Sequence, residues 1–129
     1  MTKKIKNSAL YVDGFVMMIP KKNITAYKKL ASDAGKIWMK HGALSYRECV
    51  IDDAKSPKPV MSFLQLAKPT KNEVVLFSYI EFKSKKHRDQ VNAKVMKDMD
   101  KGMEKYKDKP MPFDTKRMAY GGFKTIVSL

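Results

Sequence analysis

The sequence predicts an α+β fold of the ferredoxin-like kind: two βαβ-like halves, (βαβ)2, whose strands form one antiparallel sheet with two helices on one face. Three observations carry that expectation. Runs rich in β-branched and aromatic residues occur in four separated segments. Two stretches between them repeat apolar residues every three or four positions. The chain has 129 residues, 43% of them hydrophobic, which suits a single domain with a core of its own and excludes global disorder. The domain is read as 1–129, with 1–8 a flexible amino-terminal segment and 99–112 a charged loop.

Leu10 to Met18 (Leu-Tyr-Val-Asp-Gly-Phe-Val-Met-Met) reads as the first strand, stopped by Pro20. From Ile24 the period changes, and Tyr27, Leu30, Ala31, Ala34, Ile37 and Trp38 share a helical stripe opposite Lys28, Lys29, Lys36 and Lys40. Gly42 closes that helix where a left-handed residue commonly ends one. Leu44 to Ile51 is the second strand. Pro57 and Pro59 mark a connection, after which Val60 to Ala67 reads as an additional short strand. Val74 to Phe82 is the most strand-like run and is expected in the middle of the sheet. Ser84 offers an N-cap to a helix carrying Val91, Val95, Met96 and Met99 at helical spacing. Arg117 to Val127 supplies the last strand. Both faces of the first and third strands are largely apolar, so two helices leave one face bare, and a second copy of the sheet is its natural cover.

The formal net charge is +14, yet Arg47, Arg88 and Arg117 are the only arginines among 27 basic residues. Lysine lacks the planar fork that grips phosphate or guanine bidentately, so specific nucleic-acid binding is not expected and loose, salt-sensitive polyanion attachment is the most the charge implies. The single Cys49 excludes an intrachain disulfide and suits a reducing cytoplasm. No run reaches the roughly 20 apolar residues that span a bilayer, so no membrane partner is expected.

Asp13 interrupts an apolar strand, and a buried carboxylate needs a partner. Arg117 or Lys116 on the neighbouring last strand would make it a structural ion pair, whereas a cavity beside it would make it a pocket acid or base. His41 falls in the last helical turn, where the dipole favours a cation. His87 falls in the first turn of the second helix, where the dipole favours a neutral ring. Arg88 and Asn92 are one turn apart and point together, at an anion or at solvent. Tyr120-Gly121-Gly122 has no following helix to make a phosphate cradle. Two histidines and one cysteine, far apart, offer no metal-ligand spacing, and no cofactor is expected.

Tyr11-Val12-Asp13-Gly14-Phe15-Val16, Trp38 with His41-Gly42-Ala43-Leu44, His87-Arg88-Asp89 with Val91-Asn92-Ala93-Lys94-Val95-Met96, and Met111-Pro112-Phe113-Asp114 with Tyr120-Gly121-Gly122-Phe123 occur in this order. Together they resemble the YbaA-like family of small bacterial proteins (domain of unknown function 1428), with departures at Leu64 and Tyr79, where proline and tryptophan would be expected. The resemblance implies a fold of the dimeric α/β-barrel type, a homodimer, and no established catalytic residues. By analogy with that superfamily, Asp13, His41, His87, Arg88, Asn92, Arg117 and Tyr120 are candidates to surround an unknown small molecule. A cofactor-independent enzyme, monooxygenase- or isomerase-like, is one expectation. A non-enzymatic binding or stress-associated module is the other.

Overall fold

A computed structural model of the chain describes residues 9–129, and the expected flexible segment 1–8 lies outside the described residues. Strand β1 (Tyr11–Pro20) leads through a 3-10 turn into helix α1 (Ile24–Lys40), strand β2 (Ser45–Val50), a short helix α2 (Phe63–Ala67), strand β3 (Glu73–Phe82), helix α3 (Lys85–Gly102) and strand β4 (Ala119–Lys124). The sheet order is β2-β3-β1-β4, and every neighbouring pair is antiparallel. The protein is therefore a mixed α+β chain with an open four-stranded sheet in the split βαβ order. β3 and β1 are the inner strands, as their apolar character on both faces requires.

Residues directly opposite in neighbouring strands share a face. Tyr46, Ile80, Asp13 and Gly122 form one row across the sheet, and Glu48, Ser78, Phe15 and Tyr120 form the next. Both rows lie on the face covered by α1 and α3. The core divides there: Tyr11, Ile37, Ile80, Phe82, Val91 and Val95 pack under α3, and Met17, Ile19, Tyr27, Ala31 and Leu76 under α1. α1 ends as expected, with Gly42 at φ +108, a conformation glycine adopts without steric penalty. Ser84 caps α3 by accepting from the His87 amide at 3.0 Å.

Three expectations change. Val60 to Ala67 contains no strand: Ser62 and Gln65 form a reciprocal capping box, the Gln65 amide donating to Ser62 Oγ at 3.1 Å and the Ser62 amide to Gln65 Oε1 at 2.8 Å. This local capping overrides the strand-forming tendency of Val60 and Phe63 and starts α2. The charged loop expected at 99–112 begins later, because α3 continues to Gly102 and residues Glu104–Tyr106 form a 3-10 turn. That turn is tied to α1, with Tyr106 donating to Asp33 Oδ2 at 2.5 Å and Lys105 Nζ 2.9 Å from the same oxygen. Cys49, which lies in the apolar run Glu48-Cys49-Val50-Ile51 where a thiol would pack as a small hydrophobe, is instead exposed.

Cys49 belongs to the second sheet face, opposite Phe77. α2 shields part of that face, where Val75 is buried and Phe63 borders it. The rest is open and apolar, with Phe77 45% and Phe123 61% exposed.

Candidate functional site

Asp13 is 2% exposed and lies beneath α3 in the middle of β1. Tyr120 on β4 donates to its Oδ1 at 3.1 Å, and Arg88 Nε stands 3.5 Å from the same oxygen. Trp38 Nε1 donates to Asn92 Oδ1 at 3.0 Å, which turns the Asn92 amide group toward Asp13. The Arg88 side chain also donates through Nη2 to Tyr11 Oη at 2.9 Å and sits over the Tyr11 ring, 5.0 Å from its centre. Gly122 makes room for this arrangement, since a Cβ there would lie within 2.7 Å of Arg88 Nη2 and closer still to Tyr11 Oη. Burial pushes the Asp13 carboxyl above the usual range, against the opposing pull of Arg88, Tyr120 and Asn92. Burial opposes the Arg88 cation, but the bond to Tyr11 and the Asp13 charge outweigh it and hold its pKa up.

A cavity of about 250 Å³ adjoins this cluster between the sheet and α1. Phe15 and Trp38 line it on the side of Asp13, which itself does not line the space; Met99, Met111 and Phe113 also line it, and the space is a half-open cleft with Met111 58% exposed. The far wall is polar. Glu48 accepts from Tyr27 at 2.8 Å through Oε1 and from Tyr46 at 2.6 Å through Oε2. Burial first, and then the Glu48 charge, drives both phenols far above their ordinary range, so they act as neutral donors. Tyr27, Tyr46 and Glu48 also line an outer groove of about 800 Å³ between α1 and β2. The three side chains thus line both spaces and stand between them.

Of the candidates named from sequence, Asp13, Arg88, Asn92 and Tyr120 come together, and the other three stand apart. His41 Nε2 is 2.9 Å from Asp98 Oδ2, joining the end of α1 to α3. His87 Nδ1 accepts from the Lys83 amide at 2.9 Å. Desolvation, reinforced by Lys83, pushes the His87 pKa down against the bond to the Gly42 carbonyl, so the ring is a neutral clip at the start of α3. Arg117 does not partner Asp13: its Nη1 is 2.6 Å from Glu73 Oε2. It lies in a 3-10 turn before β4, two residues short of Ala119, the first paired residue, and the cation beside Asp13 comes from α3 instead. Arg88 and Asn92 do point together at an anion, and the anion is the protein's own Asp13.

Glu48, Tyr46, Tyr27 and Tyr11 were not singled out as site residues. The available signal was the pair Tyr46 and Glu48 at i and i+2, which strand alternation places on one face. Among the described residues no group of three His, Cys, Asp or Glu side chains is placed to hold a metal ion, and no helix is long and apolar enough to cross a membrane.

A family model described as "Protein of unknown function (DUF1428)" matches residues 10–115. The "Uncharacterized protein YbaA" of Escherichia coli (strain K12) is 42% identical over 117 residues, covering 91% of this chain and 97% of that protein. The protein of the same name from Shigella flexneri matches to the same extent, 42% over 117 residues. Among solved structures, a nipsnap family protein of unknown function from Agrobacterium tumefaciens aligns with a TM-score of 0.48 at 19% identity, over 92% of this chain and 89% of that one. The de novo designed protein Foldit4 aligns with a TM-score of 0.39 at 9% identity, over 89% of this chain and 94% of that one.

Proposed function

The chain belongs to the DUF1428 family of proteins of unknown function, and from that premise we propose that it binds a small, largely apolar molecule in the cavity between the sheet and α1. The observation that carries this reading is the cavity of about 250 Å³ itself. A space this large, walled by aromatic and methionine side chains with one polar side, has the character of a ligand site. It falls below the roughly 300 Å³ at which drug-sized sites begin, which restricts the ligand to a small molecule.

The open sheet face supports the homodimer of the dimeric α/β-barrel type expected from the sequence. Antiparallel sheets with a solvated face ordinarily place polar residues there, whereas this one presents Phe77, Phe123 and Cys49. A second copy is the cover we infer, in a cytoplasmic setting that keeps Cys49 reduced. Light scattering checks the dimer at micromolar concentration.

One observation favours enzymatic chemistry without a cofactor. Tyr120 is 51% exposed while its hydroxyl reaches the sealed Asp13, whose proton affinity is raised by burial. That pair links the solvent side to a buried acid one residue away from the cavity wall, a candidate relay for a proton. An Asp13→Asn variant that keeps ligand affinity but loses turnover supports it.

The binding reading is tested by a thermal-shift screen of small metabolites, because a ligand at about 100 times its Kd stabilises the native state by about 2.7 kcal/mol. Ala34 lines the cavity from α1. Ala34→Leu fills it and is expected to abolish the shift. Ligands that shift the variant as much as the natural protein would refute the cavity as their site.

A further inference from the structure

We propose that Glu48 anchors a small organic cation, a protonated or quaternary amine on an apolar body, in the cavity described above; this rests on the reading of that cavity as a ligand site.

The first argument is the pairing of charges. Among the described residues, the carboxylates that are not fully exposed are Asp13, Asp33, Glu48, Glu73, Glu81 and Asp98. Four have a cationic partner: Asp13 with Arg88, Asp33 with Lys105, Glu73 with Arg117, and Asp98 with Lys40 and His41. Glu81 lies on the open sheet face and accepts from the Ser45 hydroxyl at 2.6 Å. Glu48 has two phenols and, among the described residues, no basic side chain within ion-pair distance. In a chain with 27 basic residues against 13 acidic ones, Glu48 and Glu81 are the two of these six carboxylates with only neutral partners, and of the two only Glu48 borders the cavity. Taking such a charge out of water without a counter-charge is costly, and a bound cation offsets that cost.

The second argument is the wall around it. Trp38, Tyr27, Tyr46, Phe15 and Phe113 line the same cavity. The Trp38 and Tyr46 rings lie 5.9 Å apart and those of Tyr27 and Phe113 5.5 Å apart. Aromatic faces beside a carboxylate are the surroundings that recognise ammonium groups. Each Glu48 oxygen spends one acceptor site on a phenol and keeps another free. Lys28 and Lys36 border the outer groove and not the cavity. Arg47 borders the cavity from the position between Tyr46 and Glu48, where strand alternation directs its side chain to the opposite face.

The test compares three probes of one shape: benzylammonium, benzyl alcohol and benzoate. Binding to the full chain is read by calorimetry and by the fluorescence of Trp38, the single tryptophan. Benzylammonium is expected to bind at least fivefold more tightly than benzyl alcohol, and benzoate not to bind. In Glu48→Gln, benzylammonium is expected to lose tenfold or more while benzyl alcohol is unchanged. Equal or tighter binding of benzyl alcohol by the natural protein overturns the cation assignment and leaves the cavity reading standing. An unchanged benzylammonium affinity in Glu48→Gln overturns the assignment in the same way. Failure of both benzylammonium and benzyl alcohol to bind overturns both readings. The probe comparison on the natural protein decides the matter even where the variant does not fold.

Discussion

The two charges of the Asp13–Arg88 pair are not equally trapped, and removing one or the other is expected to have unequal effects. Asp13 is 2% exposed, whereas the Arg88 side chain is 19% exposed and has a second partner in Tyr11. In Arg88→Met the carboxylate stays sealed with only Tyr120 and Asn92 beside it, and a buried charge stripped of its counter-charge destabilises by about 3 kcal/mol. In Asp13→Asn the sealed group becomes neutral, keeps the bond from Tyr120, and leaves a cation that can lean toward water along its own stem. That change is expected to cost about 1 kcal/mol or less. The raised Asp13 pKa points the same way, since it means that folding disfavours the ionised form. The double variant should be no worse than Arg88→Met alone and is expected to recover about 2 kcal/mol of its loss. Urea denaturation at pH 7 reads these values, and with a slope of about 2 kcal/mol per molar the Arg88→Met midpoint falls by about 1.5 M. Lowering the pH through the raised Asp13 pKa should shrink the Arg88→Met penalty, because the protonated acid no longer needs a counter-charge. Equal losses from the two single variants, or an Arg88→Met penalty that grows in acid, would refute this account.

Further outcomes follow from single contacts. Gly122→Ala forces a Cβ into Arg88 and Tyr11, and overpacking of this kind costs about 1–3 kcal/mol, visible as a lower urea midpoint. Phe82 is fully buried under α3, so Phe82→Ala should lose about 3–5 kcal/mol in the same assay. Because the His87 pKa is lowered in the folded state, the unfolded chain binds more protons as pH falls below about 6.5. Stability should therefore decline as the pH falls below about 6.5, and His87→Asn should flatten that part of the profile; an unaltered slope would remove His87 as its source. Ser62→Ala breaks the capping box of α2 and is expected to cost about 1 kcal/mol or less in global stability, with faster amide exchange confined to residues 63–67.

The elements that could be read from the sequence are those in which local chemistry and tertiary packing agree. α1 was legible because its apolar stripe, its lysine face and Gly42 all specify the same helix, and β3 because Val74 to Phe82 is apolar on both faces and lies inside the sheet. α2 was misread because Val60 and Phe63 suggest a strand while the Ser62 and Gln65 side chains close a helical turn on each other. At the site, the one-turn spacing of Arg88 and Asn92 suited either a shared anion or a solvated helix face. Their target did not follow from spacing, because Asp13 is 75 positions from Arg88 along the chain and the two meet only when α3 crosses β1. Glu48 was passed over for a similar reason: its chain neighbours Arg47 and Cys49 point to the other face, and its partner Tyr27 comes from α1.

By itself the sequence determined the alternation of the four strands with the two long helices, the caps at Gly42 and Ser84, the family to which the chain belongs and the presence of an isolated acid in β1. These depend on interactions between residues a few positions apart, where periodicity of 2 or 3.6 and capping chemistry operate. Only the tertiary structure decided which cation meets Asp13, that Arg117 serves Glu73 instead, and that Glu48 stands with two phenols on the wall of a cavity. Those outcomes depend on sheet register and on how far each helix lies over the sheet, which bring together groups separated by tens of residues and settle which buried charges have a partner.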